Sequence, residues 1–159
     1  PSCIMRVCIG GTFNIIHKGH RRLIAEAVSI AGDEGFLFIG LAVDKLVAHK
    51  KNVRSFSQRK DGIIDFIQNQ KYSPMVVIEA ITNRFGPTLN LDFDVIVVSA
   101  ETIDTARLIN KKRKQLGKKP MKIVQIPMIL AEDNKPISST RIRNGEITED
   151  GKIVSRENR

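Results

Sequence analysis

Two of the three histidines in this 159-residue chain, His17 and His20, stand three residues apart in the stretch GGTFNIIHKGH, residues 10–20. At the start of a helix, positions i and i+3 share one face, so the two rings act together. A zinc pair would need a third ligand, and the Glu of an HExxH helix is missing. A purely structural pair is the plain alternative. Behind a Gly10-Gly11 turn, which brings backbone close to a ligand with no Cβ in the way, both rings can instead donate N–H groups to phosphate oxygens. The turn is no GxGxxG fingerprint, because no third glycine follows in place. It is no GxxxxGK[ST] loop either, because the spacing from Gly11 to Gly19 is wrong and no Lys-Ser/Thr follows.

Three other stretches carry phosphate-binding chemistry. DKLVAHKKNVR (44–54) holds Lys50 and Lys51, SAET (99–102) holds hydroxyls and Glu101, and AEDNKPISSTRIR (131–143) ends in three hydroxyls and two arginines. His49 has no motif around it and reads as a surface residue. No Ser-His-Asp set and no carboxylate pair falls in these segments.

The elements between them must bring these stretches together. Apolar runs at 5–9, 36–43, 75–81, 94–100 and 121–127 read as strands. Helical periodicity covers 18–31, 57–70 with Ser57 as N-cap, and 101–116 with Gly117 closing the helix. A last short helix begins at Ser138 or Ser139. Strand-helix alternation implies a parallel sheet with helices on both faces. The expected fold is α/β: a single doubly wound, Rossmann-like domain with a five-stranded, mainly parallel sheet over residues 1–150, followed by a polar tail at 151–159. In such sheets ligands bind outside the carboxyl ends of the strands. All four polar stretches follow strands or lie at that edge.

Composition narrows the partners. Lys and Arg number 26 against 17 Asp and Glu, a formal +9, which favours anionic partners. The densest basic run, Lys111 to Lys114 with Lys118-Lys119, lacks interleaved aromatics, so it reads as a solvated helix end rather than an RNA-binding face. Cys3 and Cys8 sit five residues apart on one extended segment, roughly 16 Å from each other, too far for a disulfide. No apolar stretch is long enough to span a bilayer, and the first residues lack the pattern of a signal peptide. A cytoplasmic protein without membrane or nucleic-acid partners is expected.

GGTFxxxHxGH together with ISSTRIR resembles the paired signatures of the HxGH nucleotidyltransferases, which transfer a nucleotidyl group from ATP or CTP to a phosphate-bearing acceptor. VIVVSAET (95–102) and PMILAEDNKPISSTRIRNGEI (127–147) are similar to the archaeal and eukaryotic branch of phosphopantetheine adenylyltransferases. The nicotinamide mononucleotide branch (GRFQPxHxGH, SGTxIR) and the glycerol-phosphate cytidylyltransferases (RTxGISTT) match less well, and a nucleic-acid-binding α/β domain is the alternative from another class.

The resemblance implies adenylyl transfer from ATP to 4'-phosphopantetheine, giving dephospho-CoA and pyrophosphate, in line and without a covalent intermediate. Mg²⁺ would arrive with ATP, with no metal site assigned to the protein, and a monomer is expected. His20 would stabilise the α-phosphate and His17 the neighbouring phosphates. Lys50 would be the clamping lysine, with Lys51 left open. Thr12 and the two lysines would meet the acceptor. Gly10, Gly11, Thr12 (which would serve both sides), Phe13, Gly19, Ser99, Glu101, Ser138, Ser139, Thr140, Arg141 and Arg143 would line the nucleotide. The family usually reads GGTFD; this chain has Asn14, to which no catalytic role is assigned.

Overall fold

The computed structural model describes residues 4–155, so Cys3 lies outside the described residues. Five strands, β1 (Arg6–Gly11), β2 (Phe36–Ala42), β3 (Met75–Ile81), β4 (Val95–Val98) and β5 (Lys122–Gln125), form one sheet. Their order is β3-β2-β1-β4-β5, and every neighbouring pair is parallel. The sheet is therefore wholly parallel. The chain reverses its direction of travel between β1 and β4, which places the ligand crevice at their carboxyl ends.

Helices α1 (Lys18–Ala31), α2 (Phe56–Gln70), α3 (Ile103–Gln115) and the short α4 (Ser139–Arg143) fill the connections. Alternation of side chains along each strand divides the core. Val7, Ile9, Leu37, Ile39, Val95 and Val97 face α1 and α2, whose Leu23, Ile24 and Ile63 meet them. The intervening Cys8, Phe38, Ile96 and Val98 face α3 through Ala106 and Ile109. Burial of this kind stabilises by about 25 cal/mol per Å² of apolar surface removed from water. Cys8 is buried and free, and burial pushes its thiol up to about 12.

Most element ends fall within two residues of expectation, β4 (Val95–Val98) and β5 (Lys122–Gln125) being shorter than expected, and two features differ in kind. The α2 N-cap is Ser55, not Ser57: its hydroxyl accepts from the Gln58 amide at 3.1 Å, and the Gln58 side chain accepts in return from the Ser55 amide at 3.1 Å, a capping box. The presumed tail from residue 151 is folded as far as it is described. Ile153 bridges Ile147 antiparallel, and the Val154 amide donates to the Glu146 carbonyl at 3.0 Å. Backbone contacts hold it: the Gly151 carbonyl accepts from the Glu132 amide at 2.9 Å and the Lys152 carbonyl from the Thr148 amide at 2.8 Å, beside a third small cluster of Ala131, Ile137 and Ile147. Residues 156–159 lie outside the described residues. Among the described residues, no helix is long and apolar enough to cross a membrane.

Candidate active site

β1 ends in the two glycines, and Gly10 stands opposite Gly40 in the register with β2. A Cβ on Gly40 would lie 3.1 Å from the Ile81 side chain. The missing side chains leave room for a cavity of about 280 Å³, lined by Gly10, Gly40, Leu46, Ile81, Phe85 and Ala106, with Thr12, Lys50 and Glu101 among its polar walls. A wider depression of about 730 Å³ lies at the amino ends of β4 and β5. Two of its four lining cations, Arg113 and Lys118, are engaged in structure. Arg113, 1% exposed, donates to the Thr88, Leu91 and Lys119 carbonyls and pairs with Asp92 at 2.6 Å. Lys118 donates to the Leu89 carbonyl at 2.5 Å. The basic run is thus not simply a solvated helix end, because its central arginine is a buried tie.

The loop between β2 and α2 separates the two candidate lysines. Lys50 Nζ donates to Thr12 Oγ1 at 2.7 Å, whereas Lys51 offers its backbone carbonyl to Arg143 Nη1 at 2.5 Å. Two buried side chains hold that loop. Asn14 Oδ1 accepts from the Arg54 amide at 2.7 Å while Nδ2 donates to the Asn52 carbonyl at 3.3 Å. Arg59, 3% exposed, donates to the carbonyls of Arg54 (2.8 Å), Thr12 (3.1 Å) and Ala42 (2.7 Å). One guanidinium thereby joins the ends of β1 and β2 to the start of α2. His49 is exposed, as expected.

The histidines cap α1. His17 is the N-cap, and its Nδ1 accepts from the Gly19 amide at 3.1 Å and the His20 amide at 3.3 Å. An accepting Nδ1 fixes the neutral ring as the Nε2–H tautomer, a donor aimed away from the helix. His20 Nδ1 lies 2.9 Å from the Ile15 carbonyl. The His17 amide also points at this nitrogen, at 3.3 Å, so Nδ1 donates to the carbonyl in one tautomer and accepts from the amide in the other. The rings stack with centroids 3.7 Å apart and planes 18° from parallel. Burial lowers the pKa of His17 to about 4, with the Arg21 charge adding to it. Burial and then the His17 charge lower that of His20 to about 3, against the pull of the Ile15 carbonyl. Both rings are neutral at pH 7.

Two features of the α1 start are not visible in the sequence. The first-turn amides of α1 are not open to a ligand: Lys18 donates to the Glu149 carbonyl (2.9 Å), Gly19 and His20 to His17 Nδ1, and Arg21 to the His17 carbonyl (2.9 Å). Gly19 also has a cause of its own, since a Cβ there would stand 2.9 Å from His17 Cε1. Phe13, 2% exposed, lies beneath the pair with its ring centroid 5.0 Å from that of His20. Its φ of 49° puts a bulky residue in the left-handed region, strain of the sort that clusters at functional sites. Gly11 makes room for it: a Cβ there would meet the Phe13 ring at 3.0 Å.

In the second block Ser138 is the N-cap of α4, accepting from the Arg141 amide at 3.2 Å. Thr140 accepts from Arg143 at 3.3 Å, and Ser139 opens α4. The two arginines differ. Arg141 is engaged by Asp133, by Glu146 at 3.0 Å and by the Pro136 carbonyl at 3.0 Å, so its charge is neutralised inside the loop that precedes α4. Arg143 instead reaches the lysine loop, donating to the Lys51 carbonyl at 2.5 Å. After β4, the Ser99 amide donates to Thr102 Oγ1 at 3.2 Å, and Glu101 lines the cavity. Reading the sequence missed Arg59, Gly40 and the 146–154 segment. Only Ser55-x-x-Gln58 carried a recognisable local signal.

A family model described as cytidylyltransferase-like matches residues 8–145. A phosphopantetheine adenylyltransferase of Archaeoglobus fulgidus is 41% identical over 151 residues, covering 94% of this chain and 100% of its own length. One of Methanosarcina acetivorans is 40% identical over 153 residues, covering 93% of this chain and 95% of its own. A solved structure of a protein of unknown function from Archaeoglobus fulgidus superimposes with a TM-score of 0.69 at 36% identity, covering 77% of this chain and 89% of that one. The chain belongs to the cytidylyltransferase-like family.

Proposed function

We propose that this member of the cytidylyltransferase-like family, on the branch whose curated relatives are named phosphopantetheine adenylyltransferase, transfers the adenylyl group of ATP to 4'-phosphopantetheine in coenzyme A biosynthesis. The observation that carries the acceptor is the Thr12–Lys50 pair on the wall of an apolar cavity of about 280 Å³. An acceptor with a phosphate at one end and a long, weakly polar arm matches that combination. A nucleotide or glycerol acceptor leaves the Leu46–Ile81–Phe85 wall without a partner.

The acceptor phosphate is a monoester, ionised at neutral pH, so no general base is required. One of its non-bridging oxygens forms a bond to the α-phosphorus of ATP as the bond from that phosphorus to the β-phosphate bridging oxygen breaks. Pyrophosphate leaves with the electron pair, and no covalent enzyme intermediate forms. Catalysis rests on alignment and on donors aimed at the developing charge, each worth about 3–4 kcal/mol. Lys50 bridges the acceptor phosphate and the α-phosphate, with Thr12 beside it. His17 donates through its fixed Nε2–H. His20, neutral and stacked on His17, stands at the α-phosphate. Arg143, Ser139 and Thr140 face the β- and γ-phosphates.

Mg²⁺ comes as part of the MgATP substrate. Among the described residues no group of three or more His, Cys, Asp or Glu is placed to hold a metal of its own. A cytoplasmic protein acting on small molecules goes with this reading. Supporting it against an RNA-binding role, the basic run has Arg113 buried, Lys118 on a carbonyl and Lys112 5.5 Å over the Phe85 ring.

The test is pyrophosphate release from ATP with phosphopantetheine, nicotinamide mononucleotide and glycerol phosphate in parallel. Turnover with phosphopantetheine is expected. Turnover with only one of the others would overturn the acceptor, and salt-sensitive RNA binding with no pyrophosphate from any would overturn the enzyme.

A further inference from the structure

We infer that Asn14 is a positioning residue that sets the reach of Lys50, its carboxamide holding the loop between β2 and α2 so that the ammonium arrives at Thr12. The inference rests on the reading of Lys50 as the lysine that meets the reacting phosphates.

Asn14 is buried, 7% exposed, two residues beyond Thr12. Its side chain makes a two-pronged contact with the loop backbone: Oδ1 accepts from the Arg54 amide at 2.7 Å, and Nδ2 donates to the Asn52 carbonyl at 3.3 Å. A donor and an acceptor are both needed, and only a carboxamide supplies both in this geometry. The flanking carbonyls are held as well, Lys51 by Arg143 at 2.5 Å and Arg54 by Arg59 at 2.8 Å. Between the lysines and Arg54 the chain turns through Asn52, whose φ of 57° is left-handed. The lysine loop is therefore pinned at four backbone atoms just after Lys50, and Asn14 holds the middle two.

Thr12 and Asn14 lie on one segment, so a single stretch of chain both receives the lysine and fixes the loop that delivers it. The difference from GGTFD gains a physical meaning. An aspartate at residue 14 would keep the bond to the Arg54 amide. It would also set a second carboxylate oxygen against the Asn52 carbonyl, at about the 3.3 Å now bridged by an N–H. Two acceptors repel, and a buried carboxylate with one donor is poorly satisfied. In this chain the loop must move, and Lys50 with it.

The experiment compares the parent, Lys50→Ala, Asn14→Asp and the double variant by steady-state pyrophosphate release with ATP and phosphopantetheine. ATP affinity by calorimetry and melting without substrates accompany it. Asn14→Asp is expected to lower kcat roughly 100-fold, the size of effect a displacement of about 1 Å produces, with ATP Kd within about threefold. In the double variant kcat should match Lys50→Ala alone within about threefold, because residues acting through one group are not additive. Losses that multiply in the double variant, or an Asn14→Asp kcat within twofold of the parent, overturn the positioning role. If Lys50→Ala itself turns over normally, the reading of Lys50 falls first and this inference with it. Asn14→Ser removes the amide clamp without adding charge; it replaces Asn14→Asp if that variant does not fold, with the same expectation of non-additivity.

Discussion

Replacing Gly19 by alanine sets two effects of one methyl group against each other. In the first turn of α1, alanine relieves the entropic cost of glycine, a gain of about 0.5–1 kcal/mol from helix propensity alone. The new Cβ would stand 2.9 Å from His17 Cε1 and 3.1 Å from Nδ1. Those atoms belong to a ring held by two backbone amides, at 3.1 and 3.3 Å, and stacked 3.7 Å above His20. The ring must swing out, and the lost cap costs about 0.5–2 kcal/mol, so net stability changes little. Catalysis does not share in this cancellation. Once Nδ1 no longer accepts from the helix, neither the Nε2–H tautomer of His17 nor its aim is fixed, and a preorganised donor of about 3–4 kcal/mol is lost. Gly19→Ala should therefore melt within a few degrees of the parent and release pyrophosphate roughly 10²–10³-fold more slowly at saturating substrates. A stabilised variant with kcat within threefold of the parent would refute the claim that glycine serves the His17 ring.

Stability should fall with acid earlier than carboxylates alone would dictate. With native pKa values of about 4 and about 3 against an unfolded value near 6.5, the folded rings bind fewer protons than the unfolded ones. Stability then rises with pH up to about 6.5 and is lost below it, by up to about 1.4 kcal/mol per pH unit for each ring. Denaturant melts at pH 7.5 and 5.5 check this, and a flat profile would contradict the buried neutral pair. Gly40→Val puts methyl groups against Ile81 and into the cavity. It should raise the KM for phosphopantetheine about tenfold or more while sparing that for ATP, whereas an equal rise in both would place the acceptor arm elsewhere.

The fold was legible because a parallel sheet writes itself in continuous apolar runs. Residues 36–43 and 75–81 were found to within one residue of β2 and β3. The histidine pair was legible as a cluster for a related reason: a helix start has a fixed geometry, so i and i+3 can be placed without a structure. What stayed hidden depends on long-range backbone geometry. Arg59 and Arg113 look like any surface cation in sequence, since what keeps them buried is a set of carbonyls from distant turns. Gly40 is unremarkable in its own strand and matters only because Gly10 stands across from it in the register. The closed start of α1 was hidden too, because Glu149, on the far side of the sequence, takes the first of its amides.

That last contact bears on the order in which the protein is made. The 146–154 segment closes on α1 twice, through the Glu149 carbonyl on the Lys18 amide and through an Asp150–Arg21 ion pair that spans 129 residues of chain. On the ribosome α1 and its strands emerge and can pack long before either partner exists. Until residue 150 has left the exit tunnel, the first amide of the helix has no carbonyl and Arg21 no counter-ion. The sheet can be complete while the phosphate end of the molecule is still unassembled. Such distant pairings are slow to close, so activity should lag behind compaction during refolding.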